Sequence, residues 1–167
     1  MKKILVLCTG NSCRSQIAHG YLNHLTDNSV SVFSAGIEKH GLNSNAVRCM
    51  LEDQIDISNH ASNLVDDYLK IKFDFIITVC DNANETCPVF PGESLVKIHQ
   101  NFIDPTKIKN GEYGDHFIKA RNEIKKFIKN FIENYLDKYH QLFVCSFEQF
   151  SIDLDHQLLL PYFYKSQ

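Results

Sequence analysis

Four short apolar runs, separated by segments of helical periodicity, constrain the fold of this 167-residue chain more than any other feature. The first run is too continuous for a half-exposed strand, which is typical of a buried strand in a parallel sheet. We predict strands at "KKILVL", "VSVFSAG", "KFDFIITV" and "SLVKIHQ". Because strands alternate with helices, we expect a single α/β domain whose four-stranded parallel sheet is flanked by helices.

The segments between these strands predict the helices. Apolar residues at helical spacing indicate a helix from about Ser15 to Thr26, and Asn43 is a candidate N-cap for a second one. We expect a short helix within "ISNHASNLVDDYL", a loop at "CDNANETCPVFPGE" and a long helix from Asp115 to about Tyr139. The strand and helix rhythm stops there, so we assign residues 1–139 to the domain and 140–167 to a C-terminal extension.

Charge and hydropathy exclude several classes of partner. A net charge of −3 gives no electrostatic basis for nucleic-acid binding. The N-terminal apolar run ends after about four residues, short of a signal peptide or a membrane span. We therefore expect a cytoplasmic protein without a membrane partner. No nucleotide P-loop or dinucleotide fingerprint occurs, so we expect no bound cofactor.

Cysteine is abundant for a protein that we expect to be cytoplasmic. The six cysteines are Cys8, Cys13, Cys49, Cys80, Cys87 and Cys145. No CxxC pair occurs, which disfavours a zinc site and leaves redox or nucleophilic chemistry. Cys8 and Cys80 each follow a predicted strand directly. Because ligands of parallel sheets bind at the carboxyl ends of the strands, we expect these two thiols to face one pocket.

Cys8 and Arg14 enclose a loop between a strand and a helix. The backbone N–H groups of such a loop favour an anion and lower the pKa of a cysteine there, so we expect Cys8 to be a thiolate nucleophile. Arg14 supplies a planar fork for an oxyanion, and Ser15 can donate a hydrogen bond to the thiolate. We expect Gly10 and Asn11 to adopt positive φ. The predicted oxyanion-binding residues are Thr9, Gly10, Asn11, Ser12, Cys13 and Arg14.

The loop sequence "VLCTGNSCRSQIAHGYL" resembles the signature of the low-molecular-weight protein tyrosine phosphatase superfamily, and most closely its thioredoxin-coupled arsenate reductases. The resemblance covers roughly residues 2 to 137 and includes "SAGIE", "DISNHAS", "TVCDNANETCPVFPG" and "IDPT". It implies a flavodoxin-like strand order, with Cys8 as nucleophile, Arg14 as oxyanion binder and Ser15 as partner of the thiolate. Asp104, directly before Pro105, matches the general acid.

The same resemblance implies a relay of three thiols. Cys8 attacks arsenate, Cys80 then displaces arsenite by attacking the Cys8 sulfur, and Cys87 moves the disulfide outward. Arsenate is the implied substrate, with phosphate and sulfate as analogues. The implied electron donor is external thioredoxin, and a low-molecular-weight thiol is the alternative reductant.

One feature of the superfamily is absent from the sequence. Relatives often bind potassium near this loop through an asparagine, a glutamate, a serine and an aspartate. Asn11 and Ser34 match, but His19 and Asn63 stand at the positions of the two carboxylates. Because a hard cation depends on such oxygen ligands, we predict no metal, and we expect His19 to place a positive charge near the loop.

Two other functions use the same loop. A protein tyrosine phosphatase would use Cys8, Arg14 and Asp104 with water as the second nucleophile, and residual phosphatase activity is expected even of a reductase. The segment after Asp104 lacks the adjacent tyrosines that many such phosphatases carry there. A non-catalytic anion-binding or thiol-sensor protein would keep the loop without turnover.

Overall fold

Four parallel strands form one sheet in the order β2-β1-β3-β4 in the computed structural model, which describes residues 1–92 and 95–137. The strands are β1 (Lys2–Cys8), β2 (Val30–Gly36), β3 (Phe75–Thr78) and β4 (Val96–His99). This order confirms the predicted four-stranded parallel sheet and its flavodoxin-like topology. The strand order reverses between β1 and β3, and ligands of open parallel sheets bind at such a switch point.

The centre of β1 forms the core of the sheet. Its residues Ile4 to Leu7 are completely buried, as the continuous apolar run predicts. β1 pairs with β2 and β3 along its two edges, so that Cys8 lies opposite Gly36 and Leu7 lies opposite Thr78. The carboxyl ends of these strands therefore lie side by side.

The helices are α1 (Arg14–Leu25), α2 (Ser44–Leu51), α3 (Asp81–Glu85) and α4 (Asp115–Phe131), which is followed by π-helical turns at Ile132–Asp137. Within the described residues, no helix is both long enough and apolar enough to cross a bilayer. Met1–Lys129 is one compact unit, and 130–137 is the described part of a second unit, Asn130–Gln167. The predicted extension, residues 140–167, lies outside the described residues.

α2 begins where the sequence predicts. The Asn43 side chain accepts a hydrogen bond from the Ala46 backbone N–H at 3.0 Å and so caps the helix. The Asn43 backbone N–H donates to the Ser12 carbonyl at 3.0 Å. This bond connects the start of α2 to the loop between β1 and α1.

One local prediction is confirmed and another is wrong. The short helix expected in "ISNHASNLVDDYL" is present as a single 3₁₀ turn, Val65–Tyr68, and the residues before it are held extended beside β2. There the Gly36 N–H donates to the Asn63 carbonyl at 2.9 Å, and Leu64 forms a parallel bridge with Gly36. The loop expected after Cys80 instead begins with α3.

Candidate active site

The loop from Cys8 to Arg14 connects β1 to α1. Asn11 takes the left-handed conformation with φ of 44°, as predicted, whereas Gly10 does not adopt positive φ. The absence of a side chain at position 10 is instead required by space, since a Cβ there would lie 2.3 Å from Nδ1 of His40. His40 also donates its backbone N–H to the Gly10 carbonyl at 3.1 Å, so this residue closes one side of the loop.

The Cys8 thiol lies at the bottom of this loop. Its Sγ is 2.8 Å from Ser15 Oγ and accepts the Asn11 backbone N–H at 3.1 Å. The Asn11 side chain donates to the same Ser15 oxygen at 3.0 Å, which leaves the serine proton free to point at the sulfur. Ser15 is thus positioned to stabilise a thiolate, the role that the sequence assigns to it.

Burial opposes this stabilisation. It raises the pKa of the Cys8 thiol above its ordinary value and outweighs the lowering by the hydrogen bonds from Ser15 and Asn11. The described residues therefore raise the pKa of Cys8, whereas the sequence analysis predicts a lowered pKa. The prediction considered the backbone dipoles of the loop, whereas Cys8 is also almost fully enclosed by protein.

A cavity of about 590 Å³ opens above the loop. Cys8 and Cys80 both line it, in agreement with their positions after β1 and β3. Cys80 Sγ lies 3.4 Å from the hydroxyl of Thr9, and only 4% of Cys80 is exposed. The sheet thus brings two thiols that are far apart in sequence to one small space.

Arg14 and Asp104 form an ion pair on the wall of the same cavity. Nη2 of Arg14 donates to Oδ2 of Asp104 at 2.8 Å, and Nη1 donates to the Phe102 carbonyl at 3.0 Å. The other oxygen of Asp104 accepts from the backbone N–H and hydroxyl of Thr106, at 3.0 and 2.7 Å. The predicted oxyanion binder and the predicted general acid are therefore in direct contact.

Most of the predicted oxyanion-binding residues face this space. Those that line the cavity are Thr9, Gly10, Ser12, Cys13 and Arg14. Asn11 is buried beneath the loop, where its side-chain oxygen accepts the Asn63 backbone N–H at 2.8 Å. Cys13 is buried as well, and burial strongly raises the pKa of its thiol.

Cys87 lies apart from the cavity wall, two residues beyond the end of α3. It is half-buried, and its Sγ lies 3.6 Å from the Pro88 carbonyl. Burial raises the pKa of this thiol, and the charge of Lys97 lowers it in part. Of the three thiols in the predicted relay, the structure brings two together and keeps the third on the neighbouring segment.

Two histidines pack beneath the loop. The ring centroids of His19 and His60 are 4.5 Å apart, and Nδ1 of His19 lies 2.9 Å from the Ser34 hydroxyl. Burial, together with His60, lowers the pKa of His19 to about 4. The predicted positive charge on His19 is therefore wrong, since the ring is neutral at physiological pH.

The four positions that correspond to the potassium ligands of relatives form a hydrogen-bonded cluster. His19 pairs with the hydroxyl of Ser34, and Asn63 donates its backbone N–H to Asn11 and its side-chain N–H to the Ser34 carbonyl at 3.4 Å. The cluster contains no carboxylate, and the side-chain oxygens of Asn11 and Ser34 are already engaged, so these residues do not fit a hard cation. Within the described residues, no group of three or more metal-ligating side chains occurs.

Sequence reasoning missed several residues of the cavity. His40, Asp81, Asn82, Asn101, Thr106 and Lys107 also line it. Most follow the end of a strand closely, as Asp81 follows β3 and Asn101 follows β4. The rule that places ligands at the carboxyl ends of parallel strands would have found them, although it does not indicate a role for each.

The family of the chain follows from comparison with known proteins. The family model described as low molecular weight phosphotyrosine protein phosphatase matches residues 3–143. The chain belongs to this family. It is 43% identical over 123 residues to arsenate reductase 2 of Staphylococcus saprophyticus, a match that covers 74% of this chain and 90% of that protein. The resemblance to arsenate reductases that the motifs predict is thereby confirmed.

Solved structures of other proteins share the fold of this chain. An arsenate reductase in the phosphate binding state matches with a TM-score of 0.64 and 27% identity, over 80% of this chain and 98% of that one. A thioredoxin-dependent arsenate reductase of Corynebacterium glutamicum matches with a TM-score of 0.63, over 80% of this chain and 61% of that one. At 24% identity, this second likeness concerns the fold alone.

Proposed function

We propose that the protein reduces arsenate to arsenite through a relay of Cys8, Cys80 and Cys87. The observation that carries the proposal is that Cys8 and Cys80 line one cavity together with Arg14 and Asp104. A hydrolase of phosphate esters needs one thiol there, whereas a reductase needs a second thiol within reach of the first. The likeness to staphylococcal arsenate reductases points to the same reaction.

In the first step, the Cys8 thiolate attacks the arsenic atom of arsenate. A sulfur–arsenic bond forms, and one arsenate oxygen leaves as water after protonation. Arg14 binds the remaining oxygens and Asp104 supplies the proton. When an anion engages the Arg14 guanidinium, it competes with Asp104 for the N–H group that the carboxylate accepts at 2.8 Å, which frees the carboxyl group to face the leaving oxygen.

In the second step, Cys80 attacks the Cys8 sulfur. The sulfur–arsenic bond breaks with its electron pair on arsenic, so arsenic(V) becomes arsenic(III) and a Cys8–Cys80 disulfide forms. In the third step, the Cys87 thiolate attacks the Cys80 sulfur and Cys8 leaves as a thiolate. The two electrons that arsenic gains thus come from two thiols.

Regeneration of the enzyme requires an external dithiol, which we propose is thioredoxin. Cys87 supports this assignment because it is half-buried on a segment beside the cavity, where a protein partner reaches it more easily than it reaches Cys8. A donor of this type is kept reduced in the cytoplasm, where we place the reaction.

The site also supports a slower phosphatase activity. Cys8, Arg14 and Asp104 are sufficient for attack on a phosphomonoester and protonation of its leaving oxygen, and water can hydrolyse the phosphoenzyme. Arsenate and phosphate have nearly the same shape and charge. We propose that aryl phosphates are turned over by the same three residues without Cys80 or Cys87.

The deciding experiment measures NADPH consumption by reduced protein with arsenate, thioredoxin and thioredoxin reductase. Sustained consumption is expected for the wild type, and Cys87→Ser should lose it after a single turnover that leaves a Cys8–Cys80 disulfide. Cys49→Ser is the matched control, because this buried thiol does not line the cavity and should leave turnover intact.

The other functions predict different outcomes. Aryl phosphate hydrolysis without NADPH consumption would identify a phosphatase. Stoichiometric anion binding without either activity, unaffected by Asp104→Ala, would identify an anion-binding or sensor protein. Turnover with a low-molecular-weight thiol in place of thioredoxin would keep the reduction chemistry and change the electron donor.

A further inference from the structure

Two side chains hold Asp81, the first residue of α3: His99, the last residue of β4, and Asn101, which follows it. The Asp81 carboxylate accepts the Asn101 side-chain N–H at 2.6 Å through Oδ2 and pairs with Nε2 of His99 at 3.1 Å through Oδ1. The other ring nitrogen of His99 lies 2.8 Å from the Thr78 hydroxyl, which fixes the ring. We call Asp81, His99 and Asn101 the Asp81 clamp.

This clamp acts on the segment that joins the two outer thiols of the relay. Cys80 directly precedes Asp81, and Cys87 follows the end of α3 by two residues. α3 has five residues, and Cys80 before it is extended, with φ of −154° and ψ of 154°. At about 1.5 Å of rise per residue, the helix alone advances the chain by roughly 8 Å. A disulfide requires Cα atoms about 4.4–6.8 Å apart. α3 must therefore deform before Cys80 and Cys87 join.

We propose that the Asp81 clamp sets how readily the Cys80–Cys87 disulfide forms, by stabilising the helical form of α3. This inference rests on the proposed function, since it concerns the third step of the relay. In that step the Cys87 thiolate forms a bond to the Cys80 sulfur, and the bond between Cys80 and Cys8 breaks with its electron pair on Cys8. The hydrogen bonds of the clamp favour the dithiol, so weakening them favours the disulfide.

The size of the effect follows from the exposure of the clamp. A hydrogen bond to a carboxylate is among the stronger ones, but the side chain of Asp81 is 62% exposed and water competes for it. We expect removal of the Asn101 amide to raise the equilibrium constant for oxidation of the Cys80–Cys87 pair about fivefold. For a two-electron couple this corresponds to a reduction potential lower by about 20 mV.

The experiment is a redox titration in glutathione buffers, followed by alkylation and peptide mapping of Cys80 and Cys87. It is done on the full chain with Cys8→Ser, so that the glutathione disulfide is the oxidant and arsenate is not involved. Asn101→Ala is the informative variant because it removes the hydrogen bond without changing charge. Glu85→Ala is the matched control, since this exposed carboxylate of α3 makes no hydrogen bond or ion pair within residues 1–92 and 95–137.

A double variant tests whether the two residues act through each other. Asp81→Ala removes the acceptor, and adding Asn101→Ala to it should change the equilibrium constant no further. Equal equilibrium constants for Asn101→Ala and the parent, or an equal shift for Glu85→Ala, would overturn the role of the clamp. Failure of the Cys80–Cys87 disulfide to form in the parent or any variant would overturn the relay itself.

Discussion

The neutral His19 beneath the active-site loop makes the stability of the fold depend on pH. Burial and the neighbouring His60 lower the pKa of His19 from 6.5 to about 4. Between these values the unfolded chain binds a proton at His19 that the folded chain does not, so acid favours unfolding. At 1.36 kcal/mol per pH unit, lowering the pH from 7 to 5 removes about 2 kcal/mol of folding free energy.

This loss is measured by urea unfolding at pH 7, 6 and 5 for the wild type and His19→Gln. Glutamine retains a hydrogen-bonding group toward Ser34 and cannot titrate. Between pH 7 and pH 5, the free energy of unfolding of the variant should therefore fall by about 2 kcal/mol less than that of the wild type, whatever its stability at pH 7. His24→Gln is the control, because it removes an exposed imidazole from the same helix. An unchanged decrease in His19→Gln would show that the reasoning from burial is wrong.

Three further predictions concern other parts of the structure. Ser15→Ala removes the hydroxyl that lowers the pKa of Cys8, so peptide-resolved alkylation of Cys8 should require a higher pH in the variant than in the wild type. Gly36→Ala introduces a Cβ 2.4 to 2.7 Å from three backbone atoms, and urea unfolding should show a loss of about 2 kcal/mol or more. Burial would raise the pKa of Asp53, but a tyrosine hydroxyl and the Lys125 ammonium, 2.7 Å away, lower it overall. Because this stabilisation is lost as the pH falls through the folded pKa, Asp53→Asn should cost about 1 kcal/mol at pH 7 and less at pH 3 in the same unfolding assay.

The parts of the fold that the sequence predicts have a local physical cause. β1 is a continuous apolar run because helices and neighbouring strands exclude water from it, and this pattern is visible in the residues themselves. Asn43 predicts the start of α2 because an N-cap side chain accepts a hydrogen bond from a backbone N–H only three residues away. The proximity of Cys8 and Cys80 follows from a topological rule that needs only the ends of two strands.

The errors arise where one segment is controlled by another. The helix predicted around Val65 is limited to a single 3₁₀ turn, because Asn63 and Leu64 are held extended by Gly36, about thirty positions earlier. α3 has only five residues and buries only Ala83, so it has no apolar periodicity from which to be recognised. The positive charge predicted for His19 is wrong because the sequence around it does not reveal that the ring is buried and packs against His60.

The Arg14–Asp104 pair shows what sequence reasoning leaves out of a site. The motifs assign one role to each residue, an oxyanion binder and a general acid, as if the two acted independently. In the structure the guanidinium and the carboxylate share a hydrogen bond of 2.8 Å across ninety positions of sequence. An oxyanion that binds to Arg14 therefore competes with Asp104 for the same positive charge. Binding of an oxyanion to Arg14 and release of Asp104 from the guanidinium are for this reason one coupled event, and only the contact between the two side chains reveals it.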